Sequence, residues 1–519
     1  MAMDLGTVLR WTAERYPQRR AVGGRAPMTY REWDAHTNRL ARALADLGVR
    51  PRERVVLSMA GGEPLASLHL AAQKIGAVSV PLSFRFGASE LAYCVSDAEP
   101  TLVITDATTS AVATEALSGM DSHGRIQSGD PAEPTIERLA LTQPDGPVDV
   151  RVSEQDISVM LYTSGTTGKP KGVPRTHSAE HHAAVAHLLQ SGQSTFDATL
   201  GVMPLFHTMG LRTLVATIVG SGTWVPQMKF DADETLALIT EQQISSLYLV
   251  PTIYWSLLRT GRLAEARSVR KLAYAGSSMT PALAGQLTET LQPASFVNHF
   301  GSTEIYTFTI GPDVVAKPGC AGRAGVFSKV RLVEPAPGAS PDALVGSGEQ
   351  GQVAVSMRSP EAFAGYWRRP DANAKSIRDG WYFPGDLAVA DEDGDLWVSG
   401  RVDEMINSGG ENIYPDEIED KLIRCPAVSE VVVVGLSDDR WGQAATAFFV
   451  PDSGMAPDHA VAALGSYVRE SSGLPSLKRP KRLIAVDEIP KSGSGKILRR
   501  QLSSGDYRPL ADSDAAADR

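Results

Sequence analysis

Short apolar runs that alternate with helical patterns fill the first 300 residues, and this alternation constrains the fold more than any other feature. The runs Val55–Met59 and Val78–Pro81 flank an apolar helical segment, Leu65–Ile75. This order of elements places successive strands parallel in one sheet, with helices covering its faces. The same alternation recurs at residues 102–104, 159–162, 199–225, 247–250, 271–275 and 296–300. We therefore expect layered α/β sheets.

The character of the chain changes after residue 329. Short strands separated by Gly and Pro turns, at 329–333, 351–356 and 395–398, indicate a smaller and mostly β unit. Beyond Arg401, helical and strand patterns mix in a further α+β unit. The last residues are small, polar and acidic, as in disordered tails. We predict a domain over residues 1–401, a second over residues 402–507, and a disordered tail over residues 508–519.

Length, charge and cysteine content exclude several classes of protein. A chain of 519 residues suggests several structural units rather than one core. Its net charge of −10 argues against nucleic-acid or anionic-membrane partners that act through bulk charge. There is no apolar stretch of membrane-spanning length and no signal-peptide pattern. Three widely spaced cysteines argue against disulfides and zinc. We expect a cytoplasmic protein.

Residues 161–173, L-Y-T-S-G-T-T-G-K-P-K-G-V, run from an apolar strand into a loop of glycines, hydroxyls and lysines. Glycines let backbone N–H groups approach an anion, while hydroxyls and ammonium groups add donors and positive charge. The segment lacks the spacing of a Walker A loop. We predict a polyphosphate cradle formed by Thr163, Ser164, Gly165, Thr166, Thr167, Gly168, Lys169 and Lys171.

A second glycine pattern, residues 346–351, matches G-x-G-x-x-G. A dinucleotide fingerprint needs a strand before the glycines and a helix after them. Here a loop precedes the pattern, a strand follows it, and Glu349 stands where phosphates would bind. We therefore interpret these residues as a turn.

Four further motifs follow in order: N-H-F-G-S-T-E at 298–304, Y-F-P-G-D-L at 382–387, G-R-V-D-E-M-I at 400–406, and P-K-S-G-S-G-K-I at 490–497. With the phosphate loop, they make nearly the whole chain resemble the adenylate-forming superfamily: acyl-CoA synthetases, peptide-synthetase adenylation domains and luciferase. Segments 203–207, 400–415, 438–443 and 478–482 are most similar to benzoate and 4-halobenzoate CoA ligases. The resemblance implies an α/β fold with a large N-terminal domain, of two layered sheets plus a small β-barrel, and a smaller mobile α+β C-terminal domain.

The resemblance also implies a reaction with ATP, Mg²⁺ and coenzyme A. A carboxylate attacks the α-phosphate of ATP, and both reactants are anions whose repulsion the site must cancel. Lys496 matches the lysine that bridges the two anions. Glu304 matches the Mg²⁺ ligand, and Thr303 matches the residue that hydrogen-bonds the α-phosphate.

Further residues match the nucleotide site of the family. Phe300 would stack on adenine and Asn298 would meet its amino edge, in the motif that also holds Gly301 and Ser302. Asp386 would accept hydrogen bonds from the ribose hydroxyls, and Arg401 would support the ribose and phosphates. Pro384 replaces the usual Thr or Ser, which removes one donor.

The residues that would serve the transfer of the acyl group to a thiol match the family less completely. Asp403 matches the hinge about which the C-terminal domain rotates. The predicted coenzyme A residues are Arg85, Gly409, Gly410, Trp441 and Arg479. A second aromatic expected to stack on the adenine of coenzyme A is Leu477 in this chain.

The predicted acid pocket is mainly apolar and aromatic, which suits an aryl, alicyclic or other bulky apolar acid. We interpret its first histidine as a wall rather than a general base. No acidic residue follows that histidine to receive an α-ammonium group. The positions that match the pocket or its neighbours are His207, Thr208, Met209, Tyr248, Val250, Ala275, Gly276, His299, Tyr306 and Thr307.

Three hypotheses stay open from the sequence. The first is an acid:CoA ligase. The second is an adenylating enzyme that passes acyl-AMP to a carrier protein or a separate thiolating partner. Leu477 favours this hypothesis, because it replaces an aromatic residue expected to stack on coenzyme A. The third is a nucleotide-binding scaffold without turnover. A homodimer is possible. His177, His181 and His182 lack further metal ligands, so we interpret them as a helix surface near the rim of the site.

Overall fold

A computed structural model describes residues 3–120, 123–130, 132–163, 169–312, 314–336, 338–402, 404, 406–408, 411–413, 415–438, 442–491 and 497–514. It is a mixed α/β protein with several sheets, as the sequence predicts. The α-helices, in chain order, are α1 (Leu5–Arg15), α2 (Tyr30–Asp46), α3 (Glu63–Lys74), α4 (Ala88–Ala98), α5 (Ser110–Ala116), α6 (Ile136–Leu141), α7 (His177–Gln190), α8 (Thr208–Val219), α9 (Ala232–Gln242), α10 (Pro251–Arg259), α11 (Pro281–Leu291), α12 (Pro370–Ser376), α13 (Pro415–Leu422), α14 (Pro457–Glu470) and α15 (Arg499–Ser503).

The β-strands, in chain order, are β1 (Arg20–Val22), β2 (Met28–Thr29), β3 (Arg54–Ser58), β4 (Val78–Leu82), β5 (Leu102–Thr105), β6 (Gly124–Gln127), β7 (Ile157–Thr163), β8 (Lys171–Thr176), β9 (Ala198–Gly201), β10 (Thr223–Pro226), β11 (Ser246–Leu249), β12 (Lys271–Tyr274), β13 (Ser295–Phe300), β14 (Thr309–Gly311), β15 (Arg323–Ala324), β16 (Val330–Val333), β17 (Gln350–Ser356), β18 (Ile377–Arg378), β19 (Trp381–Tyr382), β20 (Asp386–Ala390), β21 (Leu396–Arg401), β22 (Ile406–Ser408), β23 (Glu411–Ile413), β24 (Val428–Asp438), β25 (Gly442–Pro451), β26 (Arg482–Val486) and β27 (Pro509–Asp514).

The chain forms two compact units, each assembled from several stretches. The first unit comprises Met1–Arg331, Ala354–Tyr382 and Asp393–Trp397. The second comprises Leu332–Val353, Phe383–Glu392 and Val398–Arg519. The linear boundary between residues 401 and 402 stays a prediction.

Two large sheets build the first unit. One has the strand order β15-β14-β13-β12-β11-β9-β10-β1-β2, and its strands from β13 to β1 are parallel. The other has the order β6-β5-β3-β4-β7-β8, parallel from β6 to β7. Buried side chains such as Leu9, Leu44, Leu57, Leu68 and Leu214 form an apolar core from both the helices and the strands. Parallel sheets require helices on their faces, so the predicted alternation of elements is confirmed.

Local signals fix where the helices begin. The Asp4 carboxylate accepts a hydrogen bond from the Thr7 N–H at the start of α1. Thr29 and Glu32 form a capping box at the start of α2. Such caps satisfy backbone N–H groups that have no partner inside the helix.

The second unit contains a sheet of order β23-β22-β25-β26-β27, with β24 also paired to β25. Strand β27 lies antiparallel to β26, with Ile484 opposite Asp512. The prediction of a disordered tail from residue 508 is therefore wrong for Pro509–Asp514, because backbone pairing to β26 orders a polar segment. Residues 346–349 form the predicted turn, in which the Glu349 carboxylate accepts from the Gly346 N–H at 2.8 Å.

None of the helices in the described part of the chain is both long and apolar enough to cross a membrane. The three cysteines are buried, and no disulfide joins them.

Candidate active site

The predicted phosphate loop joins two antiparallel strands of the first unit. Thr163, at the end of β7, lies opposite Lys171, at the start of β8. The loop therefore closes a β hairpin rather than leading from a strand into a helix, which agrees with the absence of Walker A spacing. Ser164, Gly165, Thr166, Thr167 and Gly168 lie outside the described residues.

The two lysines of the hairpin have different surroundings. The Nζ atom of Lys171 lies 4.1 Å from the centroid of the Tyr366 ring. Burial lowers the pKa of Lys171, and the negative charge of Glu304 opposes that shift. The Nζ atom of Lys169 lies 5.5 Å from the centroid of the Tyr93 ring. Lys171 is thus the lysine that the hairpin brings into the electrostatic field of Glu304.

The segment Gly301–Glu304 follows β13 and makes a tight turn. The Ser302 N–H donates to the Ile305 carbonyl at 3.0 Å. A side chain at position 301 would place its Cβ atom 2.1 Å from the Tyr306 carbonyl oxygen, so the turn requires glycine. Glu304 is 6% exposed, and its Oε1 atom accepts from the Tyr366 hydroxyl at 2.7 Å. This turn holds a carboxylate in a fixed position, which suits a hard cation such as Mg²⁺.

Arg175, which the sequence analysis missed, anchors this turn from β8. Its side chain is fully buried, and its Nη1 atom donates to the carbonyls of Thr303 at 3.2 Å, Glu304 at 3.2 Å and Glu361 at 2.9 Å. Its Nε atom forms an ion pair with Glu180. The signal in the sequence is a lone arginine directly after the apolar Val173-Pro174. Arg175 is a positioning residue, since it contacts the backbone of the turn.

The two predicted adenine residues lie on β13. The Asn298 side-chain nitrogen donates to the Cys320 carbonyl at 2.9 Å. This bond orients the amide, and Oδ1 is the atom that can accept from the amino group of adenine. The Phe300 ring meets Phe308 edge to face, with centroids 5.1 Å apart. Both side chains are therefore fixed by neighbours in the same unit.

Within the second unit, the predicted ribose residues form an ion pair. The Arg401 Nη1 atom lies 2.7 Å from Asp386 Oδ1. Its Nη2 atom donates to the Pro384 carbonyl at 3.0 Å. The proline that departs from the family pattern thus contributes its carbonyl to the arginine. Arg401 fixes one oxygen of Asp386 and orients the carboxylate.

The predicted acid-pocket positions gather at the carboxyl ends of β11, β12 and β13 and at the start of α8. Met209, Tyr248, Val250 and Ala275 belong to one apolar cluster. The rings of Tyr248 and His299 have centroids 5.1 Å apart. The remaining predicted positions adjoin these elements in the chain and include Thr208, Gly276, Tyr306 and Thr307. Ligands commonly bind at this edge of a parallel sheet.

His207 caps α8, since its Nδ1 atom accepts from the Met209 N–H at 3.4 Å. Burial, assisted by the charge of Arg212, lowers the pKa of His207 to about 4. A neutral, half-buried imidazole suits the predicted role as a pocket wall. Arg212 itself is a second residue that the sequence analysis missed. It is 2% exposed, and its Nη1 atom lies 3.1 Å from His299 Nδ1.

Two of the predicted coenzyme A residues, Arg85 and Arg479, belong to different units. The Cζ atom of Arg85 lies 5.3 Å from the centroid of the Phe84 ring, and Arg479 donates to the Leu474 carbonyl at 3.1 Å. The predictions for Asp403, Gly409, Gly410, Trp441 and Lys496 lie outside the described residues.

The histidines of α7 do not all face outward. His177 is fully buried and accepts at Nδ1 from the Leu5 N–H at 3.2 Å, so its assignment to a helix surface is wrong. Packing of α1 against this part of the chain removes the imidazole from solvent. His181 and His182 are half-buried.

Comparison with known proteins identifies the family of the chain. The AMP-binding enzyme family matches residues 9–367, and the AMP-binding enzyme C-terminal domain matches residues 417–496. The chain is 32% identical over 481 residues to long-chain-fatty-acid–CoA ligase FadD13 of Mycobacterium tuberculosis, covering 92% of each chain. It is 31% identical over 505 residues to a 4-chlorobenzoate–CoA ligase of Arthrobacter, covering 95% of this chain and 94% of the relative. A solved structure of O-succinylbenzoate coenzyme A synthetase from Bacillus subtilis, in complex with ATP and magnesium ion, superposes with a TM-score of 0.82. That structure is 25% identical and covers 95% of this chain and 98% of the other.

Proposed function

Because the chain belongs to the AMP-binding enzyme family, we propose that it activates an aryl, alicyclic or other bulky apolar carboxylic acid as acyl-AMP and then forms the thioester with coenzyme A. The general activity follows from its relatives: the chain is an AMP-forming acid–thiol ligase that uses ATP, Mg²⁺ and coenzyme A. The observation that supports the proposal best is the buried Glu304 carboxylate, held by Tyr366 beside the Lys171 end of the phosphate hairpin.

The first step joins two anions that repel each other. Residues of the first unit supply positive charge and hydrogen-bond donors that reduce this repulsion. Lys171 brings positive charge to the hairpin, while Thr163 and Thr303 bring hydroxyl groups. Glu304 would hold Mg²⁺, which supplies charge neutralisation for the phosphates when bound. Arg175 fixes the Thr303 and Glu304 carbonyls, so the turn is positioned before substrates arrive. Fixed charges of this kind stabilise the transition state without reorganisation during the reaction.

Lys496 is the proposed central cation of adenylation. Its ammonium would bridge the substrate carboxylate and an α-phosphate oxygen while the carboxylate oxygen attacks phosphorus and pyrophosphate leaves. We assign it to a mobile domain over residues 402–507 that turns at Asp403. Rotation would withdraw Lys496 and bring the segment of Gly409 and Gly410 to the thiol channel. Two reactions at one carbonyl carbon need different groups, which is the physical reason for such an exchange.

The pocket supports an apolar acid of some size. Its cluster of Met209, Tyr248, Val250 and Ala275 is apolar. A pyrophosphate-exchange screen over aryl, alicyclic, terpenoid and fatty acids tests this proposal. We expect acid-dependent exchange of pyrophosphate into ATP with bulky apolar acids and little with short or amino acids. No exchange with any acid at high enzyme concentration would refute it and favour the scaffold.

Coenzyme A is the proposed acceptor, with Arg85, Trp441 and Arg479 as its contacts. The alternative acceptor is a carrier protein or a separate thiolating partner, because Leu477 replaces one expected aromatic. Product analysis with and without free coenzyme A separates the two. Formation of both AMP and the thioester supports direct ligation, whereas acyl-AMP that accumulates in the presence of coenzyme A supports the alternative.

A further inference from the structure

A buried pair of opposite charges lies among the predicted acid-pocket residues. Arg212, on α8, is 2% exposed, and its Nη2 atom lies 4.0 Å from Glu361 Oε2. The same guanidinium bonds His299, lies 5.1 Å from the centroid of the Tyr306 ring, and faces the Tyr248 side chain. Since these three neighbours are predicted pocket positions, the pair lies beside the predicted pocket. The surroundings of the predicted pocket are therefore apolar only in part.

The hydrogen bonding of this pair is incomplete. Within the described residues, the two carboxylate oxygens of Glu361 and the Arg212 Nε atom have no partner at good hydrogen-bond distance and angle. The same holds for Nε2 of His299, and the Thr307 side chain faces the Glu361 carboxylate. Buried polar groups nearly always find partners, and a charged group without them is especially costly. So many unsatisfied atoms at one place are typical of a site that receives a polar group.

The charges at this place are balanced. Arg212 contributes one positive charge. Burial raises the pKa of Glu361, while the charges of Arg212 and Arg175 oppose that shift and favour the negative carboxylate. Burial keeps the pKa of His207 at about 4 and that of His299 well below its ordinary value, so both imidazoles are neutral at pH 7. A second carboxylate would meet the negative charge of Glu361. A hydroxyl suits the pair, because it can donate to a Glu361 oxygen and accept from the Arg212 Nε–H at the same time.

We propose that Arg212 and Glu361 select carboxylic acids that carry a hydroxyl group in addition to the carboxylate that is activated. The inference rests on the proposed function and names the substrate class of its pocket. Arg212 and Glu361 act here as specificity-determining residues. A site built to bond a hydroxyl rejects the analogue that lacks it, because its buried polar atoms then stay unpaired.

Matched pairs of acids test the inference. The probes are 4-hydroxycinnamate against cinnamate, 4-hydroxybenzoate against benzoate, and 12-hydroxydodecanoate against dodecanoate. We expect kcat/KM for pyrophosphate exchange to favour the hydroxylated member of at least one pair by about tenfold or more, as for a hydrogen bond to a charged group. Ratios near one in all three pairs would overturn the proposal. Preference for terephthalate over 4-hydroxybenzoate would also overturn it, since the balanced pair should reject a second carboxylate.

A double substitution assigns the effect to the pair. Arg212→Met alone leaves the buried Glu361 charge without its partner and destabilises the fold, whereas Arg212→Met/Glu361→Met removes both charges and keeps apolar volume. We expect the double variant to lower the preference for the hydroxylated acid to within about twofold of one. A preference that persists in the double variant would overturn the assignment.

A control variant uses a second buried cation of the first unit. Lys74, on α3, pairs with Asp34 at 2.6 Å, and Lys74→Met should leave the preference unchanged. Thermal shift with the same probes in the presence of ATP separates this inference from the proposed function. Absence of exchange with every acid would refute adenylation. A larger shift with the hydroxylated acids, lost in the double variant, would still support the binding site, whereas equal shifts would overturn it.

Discussion

Replacement of Arg175 by methionine tests whether one buried guanidinium supports the turn that carries Thr303 and Glu304. The substitution keeps a long apolar stem in the core and removes the charge. It breaks the ion pair with Glu180, which is 2% exposed, and removes the donor to three carbonyl oxygens. The substitution should therefore lower the stability of the first unit and disturb the geometry of the turn.

The expected cost follows from these contacts. Leaving one member of a buried ion pair uncompensated costs about 3–5 kcal/mol. Each carbonyl that loses its donor adds about 1 kcal/mol. Glu180 keeps one bond, because the Tyr306 hydroxyl lies 3.2 Å from its Oε2 atom. We expect a loss of at least about 4 kcal/mol in the free energy of unfolding, a large share of the total for an ordinary domain.

Urea denaturation measures this loss. The double variant Arg175→Met/Glu180→Gln separates the cost of an unpaired buried charge from the loss of support for the turn. The double variant should regain most of the stability, because no buried charge is stranded, while its KM for ATP in pyrophosphate exchange stays raised by about tenfold or more. Arg262→Met is the surface control, since its ion pair with Glu265 is half-exposed and should contribute less than about 1 kcal/mol. A single variant as stable as the wild type, or a double variant with the wild-type KM, would refute the reasoning.

Three more predictions follow, two from single contacts and one from the burial of histidines. Tyr366→Phe removes the hydroxyl that donates a hydrogen bond to Glu304 and should raise KM for MgATP about tenfold. Tyr274→Phe is the control, because the buried Tyr274 hydroxyl has no partner among the described residues and its loss should leave KM unchanged. Equal effects of the two substitutions would contradict the role of the bond to Glu304. Gly301→Ala places Cβ 2.1 Å from the Tyr306 carbonyl and should lower exchange at least about a hundredfold, whereas Gly285→Ala, with open space around it, should leave exchange unchanged. Burial lowers the pKa of His69 to about 3 and that of His177 to about 4. The unfolded chain therefore binds more protons than the folded chain below about pH 6.5, and the free energy of unfolding should fall as the pH drops from 7 toward 4. A urea midpoint that is the same at pH 7 and pH 5 would contradict this last prediction.

The sequence predicts the layered fold well because hydrophobic periodicity is a local property. Strand β13 and the turn after it could be placed from the run Phe296–Phe300 and the motif that ends at Glu304. The turn at Gly346 could likewise be separated from a dinucleotide site by the order of its neighbours. These features depend on residues that adjoin in the chain.

What the sequence misses depends on partners that are distant in the chain. Arg175 lies 129 residues from Glu304, whose carbonyl it bonds, and Arg212 lies 87 residues from His299. Each is a single cation in an apolar segment, and such a pattern does not indicate which distant residue the cation contacts. Polar composition predicts disorder for Pro509–Asp514, but pairing with β26 decides otherwise, since backbone hydrogen bonds do not depend on side-chain character.

Acid-dependent exchange of labelled pyrophosphate into ATP by Lys496→Ala, with ATP binding followed in parallel, is the most direct test of the proposed adenylation. Loss of one well-placed cation should lower exchange at least about a hundredfold while ATP still binds. Lys491→Ala is the control from the same segment, since its ammonium pairs with Glu430 at 2.5 Å. Exchange at the wild-type rate in Lys496→Ala would contradict the account.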